Sequence, residues 1–278
     1  MPLLSRPDGA KIHWEERGEG PLVVLATQFF GSPDVFEGLI ADLASNHRVV
    51  TYDLRGTGQS TREGPYDIPT DAADLEALIE SFGAGPALVI GWGDGCNRAV
   101  KVAAERPEVV GAIVTPGGNP VGREAAQGTD ALVDSPSVIE AMLGMIGTDY
   151  RGAMRTIIGG ANPNLTEEEA RLRVDSIVDY CPQEVGAARL RAWIDDDAGE
   201  SARVVGSRLW ILSNALEDNP WFTPAGLDRT RELLPDVHIE DIEGGAISRP
   251  DLTAAIVRKV TDSGVLGAEG DEPLEVGV

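Results

Sequence analysis

The segment from Leu88 to Asn97 restricts the fold more than any other stretch of this chain. Leu88-Val89-Ile90 ends an apolar strand, and Gly91-Trp92-Gly93-Asp94-Gly95 then places a small residue at every second position. A helical stretch, Asn97 to Arg106, follows directly. This spacing marks a very sharp strand-to-helix turn. Glycines at the first and fifth positions let the helix pack close to the strand, and the middle residue sits strained at the apex. Here the apex is Gly93, which has no side chain.

Around that turn, strands alternate with helices. Lys11 to Glu16, Pro21 to Ala26, Arg48 to Tyr52, Ala87 to Ile90 and Val110 to Val114 read as strands. Phe36 to Ala44 and Asp71 to Phe82 carry apolar residues at helical spacing. The alternation predicts an α/β fold with a mostly parallel, doubly wound sheet covered on both faces. From 119 to 206 the pattern turns helical, with Thr166 and Glu169 spaced as a capping box. Strands resume at Arg208 to Leu212 and His238 to Ile242, with helices at Pro224 to Leu234 and Leu252 to Val260. The expected division is a core over 1–118 and 207–261, a helical lid over 119–206 and a flexible acidic tail over 262–278.

Composition narrows the partners. The formal charge of −23 argues against a nucleic-acid surface or an anionic membrane, which attract clustered Lys and Arg. No apolar run approaches the roughly 20 residues that cross a bilayer, and no export signal is visible. Two cysteines in 278 residues are not a disulfide framework, and Cys181 has no partner at ligand spacing, so no metal site is expected. A cytoplasmic, cofactor-independent protein with a small apolar ligand is the expectation, with a homodimer left open.

In order, the motifs resemble the α/β-hydrolase family, with a resemblance that covers nearly everything except the tail. Asp53-Leu54-Arg55-Gly56-Thr57-Gly58-Gln59-Ser60 is similar to the family's stretch after its third core strand, and Leu25 to Ser32 to its oxyanion loop. Gly91 to Gly95 resembles its nucleophile turn, Leu209 to Pro220 its acid-bearing strand and turn, and Glu243 to Asp251 the turn that carries histidine. The resemblance implies a serine at position 93 and a histidine at 246, where this chain has Gly93 and Ala246. Acyl transfer needs a hydroxyl or thiol beside a base, and both are missing from these positions. His13, His47 and His238 fall where the family carries scaffold residues.

What remains is a set of candidate pocket residues. Glu217 or Asp218 stands at the acid position, either for proton transfer or as a solvated turn carboxylate; counting from Asn214 favours Glu217. Thr27-Gln28 replaces the usual His-Gly of the oxyanion loop, so the backbone amides of Phe29 and Asp94 are expected to converge on one oxygen, with Gln28 adding a donor. Phe29 and Phe30 either line an apolar wall or pack under the lid. Asp94 either projects into the pocket or opens the helix. Trp92 and Trp221 are candidate ligand contacts, as are the lid's Trp193, Tyr180 and methionines Met142, Met145 and Met154. Cys96 reads as an inert buried thiol, and Arg249 as one half of a surface ion pair. The glycines around position 93 do not complete a dinucleotide fingerprint, because Cys96 takes its third glycine.

Three functions fit these residues. One is a non-hydrolytic enzyme of lyase, isomerase or cyclase type acting on a small apolar carbonyl compound. Another is a ligand-binding pseudoenzyme without turnover. The last is an esterase-like hydrolase inactivated at both positions.

Overall fold

Strands β3 (Leu22–Ala26), β5 (Ala87–Gly91), β6 (Val110–Pro116) and β7 (Leu209–Ser213) are buried at every residue, as a sheet covered on both faces requires. The computed structural model describes residues 2–127, 136–161, 166–213, 223–243, 245–246 and 248–266. β1 (Leu3–Ser5), β2 (Lys11–Arg17), β4 (Arg48–Tyr52) and β8 (His238–Asp241) complete a sheet of order β1-β2-β4-β3-β5-β6-β7-β8. β2 runs antiparallel to both of its neighbours, β1 and β4, and every pairing from β4 through β8 is parallel. The expected α/β architecture is present.

Helices α1 (Glu37–Leu43) and α11 (Pro250–Asp262) cover one face, against Val23, Leu25, Leu88 and Leu212. Helices α2 (Ile68–Phe82) and α3 (Gly95–Glu105) cover the other, with Leu75, Leu78, Ala99 and Val100 fully buried. Asp67 caps α2 by accepting from the Thr70 amide. Between β6 and β7 lie α4 (Gly122–Ala126), α5 (Pro136–Thr148), α6 (Tyr150–Ala161), α7 (Glu167–Tyr180), α8 (Gln183–Asp195) and α9 (Gly199–Val205), with no strand among the described residues. The box at the start of α7 is formed: Thr166 accepts from the Glu169 amide at 3.3 Å, and Glu169 accepts from the Thr166 amide at 2.8 Å. α10 (Pro224–Leu233) precedes β8.

Two elements depart from the sequence reading. β1 has no apolar alternation to reveal it; its three residues pair with β2, and Leu4 packs against the core. The first residues of the segment read as an acidic tail are packed on the core. α11 continues to Asp262, and Val265 and Leu266 pack against the apolar cluster on that face, Leu266 reaching Gly111. Two apolar residues outweigh the acidic composition there because the sheet's lower edge offers them burial.

Candidate functional site

The chain reverses between β5 and α3 through Trp92, Gly93 and Asp94. Gly93 has φ = 57°, the left-handed region that favours glycine. A Cβ on Gly95 would lie 1.9 Å from the Ala26 carbonyl oxygen, so no other residue lets α3 start against β3. A Cβ on Gly93 would stand 3.0 Å from Cβ and 3.1 Å from Oε1 of Gln28. The Gln28 side chain therefore lies across the apex.

The neighbouring amide is already occupied. Asp94 is buried; its Oδ1 accepts from the Phe29 amide at 3.0 Å, and its Oδ2 pairs with Arg98 one helical turn on. Arg98, fully buried, also donates to the Thr27 carbonyl. This corrects the expected convergence of the Phe29 and Asp94 amides: the Phe29 N–H is held by a carboxylate. Of the two readings of Asp94, the second holds in position: Asp94 is the residue that opens α3, although its side chain bonds to Phe29 and Arg98 and makes no capping hydrogen bond. The cause is Arg98. A guanidinium removed from water needs a carboxylate and a carbonyl around it, and Asp94 and Thr27 supply them.

Ala246 lies in the turn after β8, buried among Phe36, Leu212, Ile242 and Val257, and its carbonyl accepts from Thr253 Oγ1 at 2.7 Å. Glu217, Asp218 and Trp221, together with Phe222, lie outside the described residues. Phe29 and Phe30 are buried with ring centroids 4.0 Å apart, and Phe30 packs below Gly186 of α8. Packing beneath the helical block is therefore their place. Trp92 turns to the opposite face, edge-on to Phe36 at 5.1 Å and against Gly31. The candidate ligand contacts are thus divided between the two apolar cores. Met154 is buried, Met142 and Trp193 are partly buried against the same core, and Met145 is exposed.

The helical block is tied to the core by polar contacts. Arg189 of α8 pairs with Asp71 of α2 and donates to the Arg55 carbonyl at 2.6 Å. Asn97 of α3 donates to Asp196 at 2.9 Å. Arg55 holds Asp74 of α2 through two nitrogens, at 2.7 and 2.9 Å, so the Asp53–Ser60 stretch is braced against that helix.

Both thiols are free and buried, and burial pushes Cys96 up to about 12 and Cys181 up to about 11, which disfavours the reactive thiolate. Arg249 pairs with Asp251 at 2.9 Å. His47 lies between Asn46 Oδ1 (2.9 Å) and Thr261 Oγ1 (3.0 Å), before the first residue of β4 and so at the sheet end opposite the elbow. His238 stacks on Trp210 at 4.5 Å.

His13 is the residue that sequence reasoning missed. It is buried, its Nδ1 lies 3.0 Å from Asp53 Oδ2, and Tyr180 OH donates to Asp53 Oδ1 at 2.9 Å. Nothing local signals this, because the three residues are contributed by β2, the residue after β4 and the last turn of α7. Among the described residues no group of three His, Cys, Asp or Glu is arranged to hold a metal ion, and no helix is long and apolar enough to cross a membrane.

Comparisons with known proteins agree with this architecture. The 2-(acetamidomethylene)succinate hydrolase of Mesorhizobium japonicum is 25% identical over 244 residues, 84% of each chain. The crystal structure of an E-2-(acetamidomethylene)succinate hydrolase superposes with a TM-score of 0.71 at 21% identity, covering 94% of this chain and 99% of the other. An esterase from Exiguobacterium antarcticum superposes with a TM-score of 0.79 at 18% identity, covering 93% and 98%. A family model described as alpha/beta hydrolase fold matches residues 21–170, more than half of the 278. With its parallel sheet, its glycine-tipped elbow after β5 and its helices inserted before β7, the chain belongs to the alpha/beta hydrolase fold family.

Proposed function

We propose that this chain is a non-hydrolytic member of its family, which takes up a small apolar carbonyl-containing molecule beneath the helical lid without forming an acyl-enzyme. One observation carries the reading: the elbow apex is Gly93, with the Gln28 side chain lying across it. A serine hydroxyl needs that space, and its base would need to stand at Ala246, which is packed in an apolar cluster instead. The hydrolases among its relatives, named for an acetamidomethylene succinate and for esters, support a carbonyl compound as the ligand.

On this reading the protein acts as a lyase, isomerase or cyclase, with shape and exclusion of water doing most of the work and Glu217 or Asp218 moving a proton. A second reading, binding without turnover, is favoured by the hydrogen bond from Phe29 to Asp94. That bond removes one of two amides that would stabilise a developing oxyanion. Small-molecule mass spectrometry of what co-purifies with the protein, followed by incubation with the identified compound, separates the two. A changed compound supports the enzyme, and a compound recovered intact supports the binder. The whole proposal is overturned by labelling with a fluorophosphonate probe or by steady turnover of a nitrophenyl ester.

A further inference from the structure

Four buried side chains run from the helical block to the elbow: Arg189 of α8, Asp71 of α2, and Arg98 and Asp94 at the start of α3. Arg189 takes both oxygens of Asp71 with two of its nitrogens. Arg98 pairs with Asp94, which in turn accepts from the Phe29 amide at 3.0 Å. α2 and α3 pack against one another and bring the two pairs into one cluster.

The charges of the pairs act on each other. Burial pushes the Asp71 carboxyl up; Arg189 and then Arg98 oppose that rise, and Asp94 adds to it. With α8 seated, two carboxylates face two guanidiniums. With Arg189 withdrawn, the same two carboxylates share Arg98 alone.

Arg98 is not fully committed to its present partners. Its Nη1 donates to Asp94 and its Nη2 to the Thr27 carbonyl, but its Nε has no partner. The Nε of Arg189 is unmatched too, as is the hydroxyl of Tyr52, which feels the charges of Arg98 and Asp71. Among the described residues, three of the five buried side-chain polar atoms without a partner therefore belong to this cluster. An unmatched buried N–H is costly, so Arg98 gains from a second acceptor, and Asp71 can be one only when Arg189 has left it.

We propose that Asp71 links the seating of α8 to the state of the elbow. While Arg189 covers Asp71, Arg98 stays on Asp94 and the Phe29 amide stays occupied. When α8 lifts, the bare Asp71 draws Arg98 to itself. Asp94 is then a buried carboxylate without its cation, and its hold on the Phe29 amide gives way. The seated block is thus an autoinhibitory contact: it keeps filled an amide that a ligand carbonyl would otherwise take, so seating and uptake at that amide oppose one another. This coupling does not depend on the reaction proposed for the elbow, because every bond in it lies within the protein.

Hydrogen exchange of single amides in the full chain, read by NMR, tests this. Arg189→Met and Asp71→Asn break the same bridge, yet only the first leaves a bare carboxylate. Arg189→Met is expected to speed exchange at Phe29 at least tenfold more than at Val24 in the middle of β3. Asp71→Asn is expected to leave Phe29 as protected, relative to Val24, as in the unmodified chain, and adding it to Arg189→Met is expected to restore protection. In the unmodified chain, denaturant below the unfolding transition should open Phe29 together with Leu190 of α8 and before Val24, a measurement that needs no variant to fold. Equal effects of the two single substitutions, no rescue in the double variant, or opening of Phe29 only with Val24 overturns the proposal.

Discussion

Gln28 Oε1 lies 3.1 Å from the point where a Cβ on Gly93 would be, so the loop after β3 and the elbow after β5 are fitted to each other. A side chain at position 93 must push Gln28 aside. It must also accept φ = 57°, which costs an L-residue about 1 kcal/mol. Gly93→Ser/Ala246→His is therefore expected to show little nitrophenyl-ester cleavage. Adding Gln28→Gly is expected to raise it at least tenfold. Equal rates for the double and triple variants would show that Gln28 does not obstruct the apex.

The Arg98–Asp94 pair is predicted to be a principal brace of the elbow. Replacing Arg98 with Met leaves a carboxylate buried without its partner and removes the donor to the Thr27 carbonyl, at an expected cost of about 3–5 kcal/mol. Denaturant titration measures it. A loss below 1 kcal/mol would mean that water reaches Asp94.

Two glycine-to-alanine changes should have opposite signs. At Gly95 the new methyl meets the Ala26 carbonyl oxygen, and neither backbone can yield, so a loss of at least the usual 1–3 kcal/mol of overpacking is expected. At Gly144 in α5 nothing lies within 4 Å, and the helix should gain about 0.5–1 kcal/mol. Thermal unfolding of both proteins decides the matter.

Acid should weaken the fold through two histidines. Burial pushes the pKa of His47 down, helped by the charge of Arg258, and burial also lowers His238. A group whose folded pKa is depressed in this way binds its proton more readily in the unfolded chain. Its stabilising contribution is complete above the unfolded value of about 6.5 and is lost as pH falls from there through the folded value. His47→Gln should flatten the fall in unfolding midpoint below pH 6.5. An unchanged slope would assign the acid sensitivity elsewhere.

Much of this molecule was legible in its sequence because the signals are local. Apolar runs gave the parallel strands, Thr166 and Glu169 the start of α7, and the glycines at 91, 93 and 95 the elbow. What escaped depends on residues far apart in the chain. Asp94 does open α3, but nothing local tells that its carboxylate is taken up by the buried Arg98 and by the Phe29 amide after β3. His13 reads as scaffold until Asp53 and Tyr180 close around it across separations of 40 and 127 residues. Leu266 reads as tail until Gly111 is seen beneath it.

The bond from the Phe29 amide to Asp94 has an evolutionary consequence. A lineage that had lost only its serine could regain it by one codon change and be rewarded at once. Here a newly arrived hydroxyl would meet an anion-binding amide already committed to a neighbour, and selection would see no benefit. On the proposed non-hydrolytic reading, return to ester chemistry would need several neutral or harmful steps first, and the divergence would behave as a ratchet.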